Sequence, residues 1–95
     1  MKQDSIFIII LSEQAKKDII FWERKNSVIS RQIQKLIDSI QQTPRSGKGQ
    51  PEKLRYELSG AWSRRIDKEH RLVYVVNEQN KTVTIQSCKG HYGQH

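Results

Sequence analysis

Three groups of residues raise the chemical question in this 95-residue chain. The loop TPRSGKGQPEK, residues 43–53, holds two prolines and carries Lys48 between them and Glu52 directly after the second. Arg55, Arg65 and Arg71 stand on three successive segments of two-residue hydrophobic period. His91 and Tyr92 follow in CKGHYGQH. RNA cleavage by its own 2′-hydroxyl needs a base for that hydroxyl, an acid for the leaving 5′-oxygen, and fixed positive charge at the phosphate. Arginine suits the last task because it stays charged and forks onto phosphate oxygens. Each residue also has a plainer reading: a solvated loop carboxylate, arginines that keep a sheet face soluble, a passive terminal histidine.

The elements that must position these residues can be read from periodicity. In LRYELS, Leu54, Tyr56 and Leu58 share one face, leaving Arg55 and Glu57 on the other. In AWSRRID, Trp62 and Ile66 read as core, which puts Ser63 and Arg65 opposite. In HRLVYVV, Leu72, Tyr74 and Val76 alternate with Arg71, Val73 and Val75. KTVTIQSCK reads as the last strand and leads to His91. Period two therefore predicts three arginines on one sheet face.

Upstream, IFIIIL is β-branched and aromatic and predicts a first strand buried on both faces. Ser12 and Glu13 form a helix start, and Ala15, Ile19 and Trp22 fall on one side of a helix over 13–25. Asn26 and Ser27 can end that helix and cap the next. Ile29, Ile33, Leu36, Ile37 and Ile40 give the second helix its stripe, which should stop before Pro44. The expected fold is α+β in the order β-α-α-β-β-β-β. Two N-terminal helices pack on one face of a mostly antiparallel twisted sheet, leaving the other face open.

Length and composition narrow the function. Residues 1–95 make one domain, with 1–5 reading as an N-terminal extension and 93–95 as a C-terminal one. Seventeen Lys and Arg against ten Asp and Glu give a net charge of +7. That excess favours a polyanionic partner: nucleic acid, an anionic membrane or an acidic protein. The membrane reading is weak, because Asp38 and glutamines interrupt the second helix's polar face. One cysteine, Cys88, excludes a disulfide framework. Ile6 to Leu11 is too short to span a bilayer and makes a poor signal peptide, so a cytoplasmic location is expected. His70, His91, His95 and Cys88 lack metal-ligand spacing, and SGKGQPEK lacks the spacing of a phosphate-binding loop. No cofactor is expected. The residues alone leave a basic α+β nucleic-acid binder, with RNase chemistry as one option.

The joined motifs Gly-Lys-Gly-x-Pro-Glu, Leu-Ser-Gly-x-Trp-Ser-Arg-Arg-Ile and Glu-His-Arg-Leu-Val-Tyr, followed by CKGHY, resemble the YoeB (Txe) family of RelE-like toxins. The resemblance runs from ILSEQAKKDIIFW to His91-Tyr92. It implies a RelE-like, microbial-RNase-like fold and an endoribonuclease toxin of a type II toxin–antitoxin system. Such toxins cut mRNA in the ribosomal A site without metal, leaving a 2′,3′-cyclic phosphate and a 5′-hydroxyl. Implied partners are the 70S ribosome with its RNA, a YefM-like antitoxin, operator DNA through the antitoxin complex alone, and a second copy in a homodimer. Carried over by position, Glu52 is the general base and His91 the general acid. Arg71 stabilises the phosphate charge, Arg65 contacts the same region, and Tyr92 orients substrate. Lys48, Arg55, Ser63 and Arg64 are expected RNA contacts. The family often ends at His-Tyr and has proline after the glutamate; in this sequence Gly93-Gln94-His95 follow and Lys53 replaces the proline. The different reading is a catalytically degenerate basic module that binds antitoxin or ribosome without cutting.

Overall fold

The computed structural model describes residues 6–54 and 60–90. Helix α1 spans Glu13–Lys25 and α2 spans Ser27–Gln42. The Ser12 hydroxyl accepts the Ala15 N–H at 3.0 Å and donates to the Gln86 carbonyl at 2.8 Å. One side chain thus starts α1 and ties it to the last strand. Asn26 serves both helices. Its N–H donates to the Trp22 carbonyl at 2.8 Å, and its side chain accepts from Val28 and Ile29. A single residue between the helices forces the tight reversal that places both on one side of the sheet. The buried stripe of α2 is Ile33, Leu36, Ile37 and Ile40, and Leu36 and Ile40 are wholly inaccessible.

Five strands follow the expected order: β1 (Ile8–Leu11), β2 (Glu52–Lys53), β3 (Ala61–Arg65), β4 (Arg71–Asn77) and β5 (Thr82–Ser87). Across the sheet they lie β1-β5-β4-β3-β2, with β1 parallel to β5 and the other pairs antiparallel. Both helices cover one face. The core there gathers Phe7, Ala15, Trp22, the α2 stripe, Ile66, Leu72, Tyr74, Val83, Ile85 and Cys88. Register shifts between the Val73–Ser87 and Tyr74–Ile85 pairs, so β5 carries one extra residue, Gln86. Such a bulge bends its strand and raises the local twist.

Two expectations are corrected. β1 is not buried on both faces: Ile9 and Leu11 pack on the core, but Ile8 and Ile10 are 61% and 45% exposed. The cause is topological, since β1 is an edge strand and the helices cover one side only. Leu54 is buried, yet not under the helices. It joins Ala61, Val73 and Val75 in a small cluster on the opposite face, so that face is partly apolar rather than simply open. The described part of the LRYELS segment ends at Leu54; Tyr56, Glu57 and Leu58 lie outside the described residues.

Candidate active site

β2, β3 and β4 bring Glu52, Arg65 and Arg71 onto the face away from the helices. Register pairs Glu52 with Ser63, Ser63 with Val73, and Arg65 with Arg71. Directly opposed residues of antiparallel strands share a face. Glu52 Oε1 lies 3.7 Å from Arg71 Nη1, with the Glu52 side chain 67% exposed and Arg71 23% exposed. With the carboxylate in solvent and the contact this long, the pair contributes about 0–1 kcal/mol. It orients the carboxylate without locking it, so a substrate hydroxyl can compete for it. Arg65 and Lys48 are exposed. Arg65 and Arg71 sit opposite one another with one carboxylate nearby, leaving surplus positive charge for an anion. Arg55, His91 and Tyr92 lie outside the described residues.

Two expected RNA contacts lie in the interior. Arg64 is fully buried on the helix side, in the same strand phase as Trp62 and Ile66. That placement takes it out of the RNA-facing set, and its guanidinium is spent on internal hydrogen bonds. Ser63 is on the arginine face but 1% exposed, and its Oγ has no hydrogen-bond partner among the described residues.

The loop leading to Glu52 is tied down. Arg65 N–H donates to the Gly49 carbonyl at 2.7 Å. Gly49 has φ +83°, and a Cβ there would come within 2.8 Å of Leu36 Cδ2 and 3.1 Å of the Arg65 carbonyl. Only glycine fits this close approach.

The segment leading to His91 is held at two alternating residues. Cys88 N–H donates to Asp18 Oδ2 at 2.8 Å, and Trp22 Nε1–H donates to the Cys88 carbonyl at 2.9 Å. Gly90 N–H donates to His70 Nδ1 at 2.9 Å, while its carbonyl accepts the Arg71 N–H at 2.9 Å. Between them, Lys89 Nζ lies 3.9 Å from the Phe21 ring centre. The His70 ring also meets Trp22 edge-on at 4.8 Å. α1 and β4 therefore fix Cys88–Gly90, and Arg71 contributes its backbone to that hold as well as its guanidinium to the face. Burial, and secondarily the Asp18 carboxylate, push the Cys88 thiol up to about 12. A thiol so held is a packing group, not a nucleophile.

Asp18, Trp22 and His70 were not among the candidate residues from sequence. One signal was available: Asp18 interrupts the buried stripe of Ala15 and Trp22, and a buried carboxylate needs a donor. Among the described residues no three His, Cys, Asp or Glu side chains gather to hold a metal ion.

The model of the YoeB-like toxin of bacterial type II toxin–antitoxin systems matches residues 11–92. The chain belongs to that family. It is 43% identical to the Escherichia coli K12 toxin YoeB over 84 residues, covering 88% of this chain and 98% of that one. It is 47% identical to the Mycobacterium tuberculosis toxin RelK over 78 residues, covering 82% and 89%. Among solved structures, the YoeB/ParE toxin from Agrobacterium tumefaciens superposes with a TM-score of 0.86 at 34% identity, covering 90% of this chain and all of that one. A YoeB–YefM complex from Staphylococcus aureus gives 0.79 at 40% identity, covering 90% and 98%. For a YoeB-like toxin, two helices on a five-stranded mixed sheet are thus the shared frame, and Glu52, Arg65 and Arg71 lie on its uncovered face.

Proposed function

We propose that this YoeB-like toxin is a ribosome-dependent endoribonuclease. The observation that carries the reading is the exposed Glu52 carboxylate beside Arg71, with Arg65 in register on the same face. Glu52 removes the 2′-hydroxyl proton, and that oxygen attacks the adjacent phosphorus. The bond to the 5′-oxygen breaks as His91 delivers a proton to it. The products are a 2′,3′-cyclic phosphate and a 5′-hydroxyl, with no metal or cofactor. Arg71 and Arg65 balance the charge that builds on the non-bridging oxygens. Tyr92, Lys48 and Arg55 orient the strand.

An exposed site with a loosely held base gains from a host that aligns the mRNA for in-line attack, and the ribosomal A site serves as that host. The net charge of +7 suits a surface of ribosomal RNA. A YefM-like antitoxin is the proposed silencing partner, by relation to the S. aureus complex, and a homodimer is proposed by relation to the S. aureus YoeB dimer. The cytoplasm, where translating ribosomes reside, is the proposed location. Among the described residues no helix is long and apolar enough to cross a membrane.

The test is a translation extract with a defined mRNA, read by primer extension and end-group analysis. The expected result is A-site cleavage with cyclic phosphate ends. Intact mRNA with unimpaired protein synthesis would reject the reading and favour a module that binds without cutting.

A further inference from the structure

Arg64 uses every donor it has. Nε–H donates to the Tyr74 hydroxyl at 3.0 Å. Nη1 donates to Ser39 Oγ at 2.9 Å and the Lys48 carbonyl at 3.0 Å. Nη2 donates to the carbonyls of Thr43 at 2.7 Å and Ser46 at 2.8 Å. A guanidinium carries five N–H groups in a rigid fork, and in Arg64 all are satisfied although no ion pair to a carboxylate is found for it among the described residues. Tyr74 extends the arrangement by donating its own O–H to the Pro44 carbonyl at 2.6 Å. Two buried side chains thus collect four loop carbonyls, those of Thr43, Pro44, Ser46 and Lys48.

The charge also answers a need of α2. That helix has no basic residue in its last turn, and Thr43 is its C-cap. Arg64, from β3, supplies a cation to the negative end of the helix and a donor to the carbonyl of its C-cap, Thr43. The loop so gathered leads to β2, which is only two residues long. A strand that short cannot hold itself in place. Glu52 lies between the Arg65–Gly49 bond on one side and the Leu54–Ala61 bond on the other.

We propose that Arg64 is a positioning residue: it sets the loop of residues 43–50 and, through that loop, the Glu52 carboxylate beside Arg71. This rests on the reading of Glu52 as the base. Lysine cannot replace it, since an ammonium has three donors and no fork.

The test compares Arg64→Lys with Tyr74→Phe, a smaller change that removes only the hydroxyl. Amide exchange is measured on the folded proteins, and single-turnover mRNA cleavage on saturating ribosomes. Exchange at Ser46 and Lys48 should quicken about tenfold or more while Val83 and Ile85 stay unchanged. Cleavage should fall about tenfold or more in the same variants, the scale of a small misplacement of a reacting group. In a Glu52→Gln background those changes should leave the residual rate unaltered, because the group they position is gone. Equal fold losses in both backgrounds would overturn the proposal, as would unchanged loop exchange in a folded Tyr74→Phe protein. Wild type that shows the loop clamp but never cleaves would reject the base assignment, and with it the link from Arg64 to Glu52.

Discussion

His70 Nδ1 accepts the amide N–H of Gly90 at 2.9 Å, at the residue directly before His91. The adjacent residue, Arg71, holds the Gly90 carbonyl through its own N–H and approaches Glu52 through its guanidinium. The proposed acid and the proposed base are therefore referenced to adjacent residues, His70 and Arg71, at the start of β4.

His70→Leu removes the acceptor, whereas His70→Asn keeps an oxygen close to the Nδ1 position. The leucine variant is expected to expose the Gly90 amide to exchange and to cut cleavage about tenfold. The asparagine variant should recover most of both. Equal behaviour of the two in an exchange experiment would show that the bond does not hold Gly90.

Glu52→Gln should leave stability within about 0.5 kcal/mol, as expected for an exposed side chain away from the core. Cleavage should fall about 10²- to 10⁴-fold, the usual loss with a general base. Urea unfolding and a ribosome cleavage assay on one preparation check both halves.

Ser63→Ala tests whether the buried hydroxyl serves RNA. Its Oγ has no partner among the described residues, and removing an unpaired buried polar group is neutral or stabilising. The expected outcome is an unchanged or higher unfolding midpoint and undiminished cleavage. A folded variant with impaired cleavage would return Ser63 to the functional set.

The Cys88 thiol, raised from 9.0 to about 12, should resist iodoacetamide in the native state at mildly alkaline pH. The sign of the linkage follows from that rise. The folded state favours the protonated thiol, so this contribution is complete below pH 9.0 and is lost as pH climbs toward about 12. The stability advantage of wild type over Cys88→Ala should therefore shrink across that window in urea titrations.

Asp18→Ala leaves the Cys88 N–H without its acceptor in the interior. The expected cost is about 1–3 kcal/mol, the penalty of an unpaired buried group. Chemical denaturation measures it.

The helices were legible because their signals are local. Ser12, Asn26 and the isoleucine spacing of α2 act within a turn or two. The strand phases of β3 and β4 were equally readable, and they place Arg65 and Arg71 correctly. The same phase puts Arg64 with Trp62 and Ile66, so its burial was implicit; the expectation that an arginine faces solvent overrode it. Leu54 misled because strand period reports that a residue is buried, not which of two apolar clusters receives it. The hold on Cys88 joins atoms 70 residues apart in sequence, and no local pattern encodes it. The exposed side of β1 follows from its edge position beside β5, which depends on topology rather than on IFIIIL itself.

The parallel pairing of β1 with β5 has a consequence for how the protein is made. β5 is the last of the five strands to be synthesised, yet it sits between β1 and β4. Until it emerges, β1 has no strand to pair with and α1 lacks the strand it packs on, and Gly90 has not reached His70. Contacts of such long sequence separation form late. The growing polypeptide therefore carries an unfinished site while it is being translated.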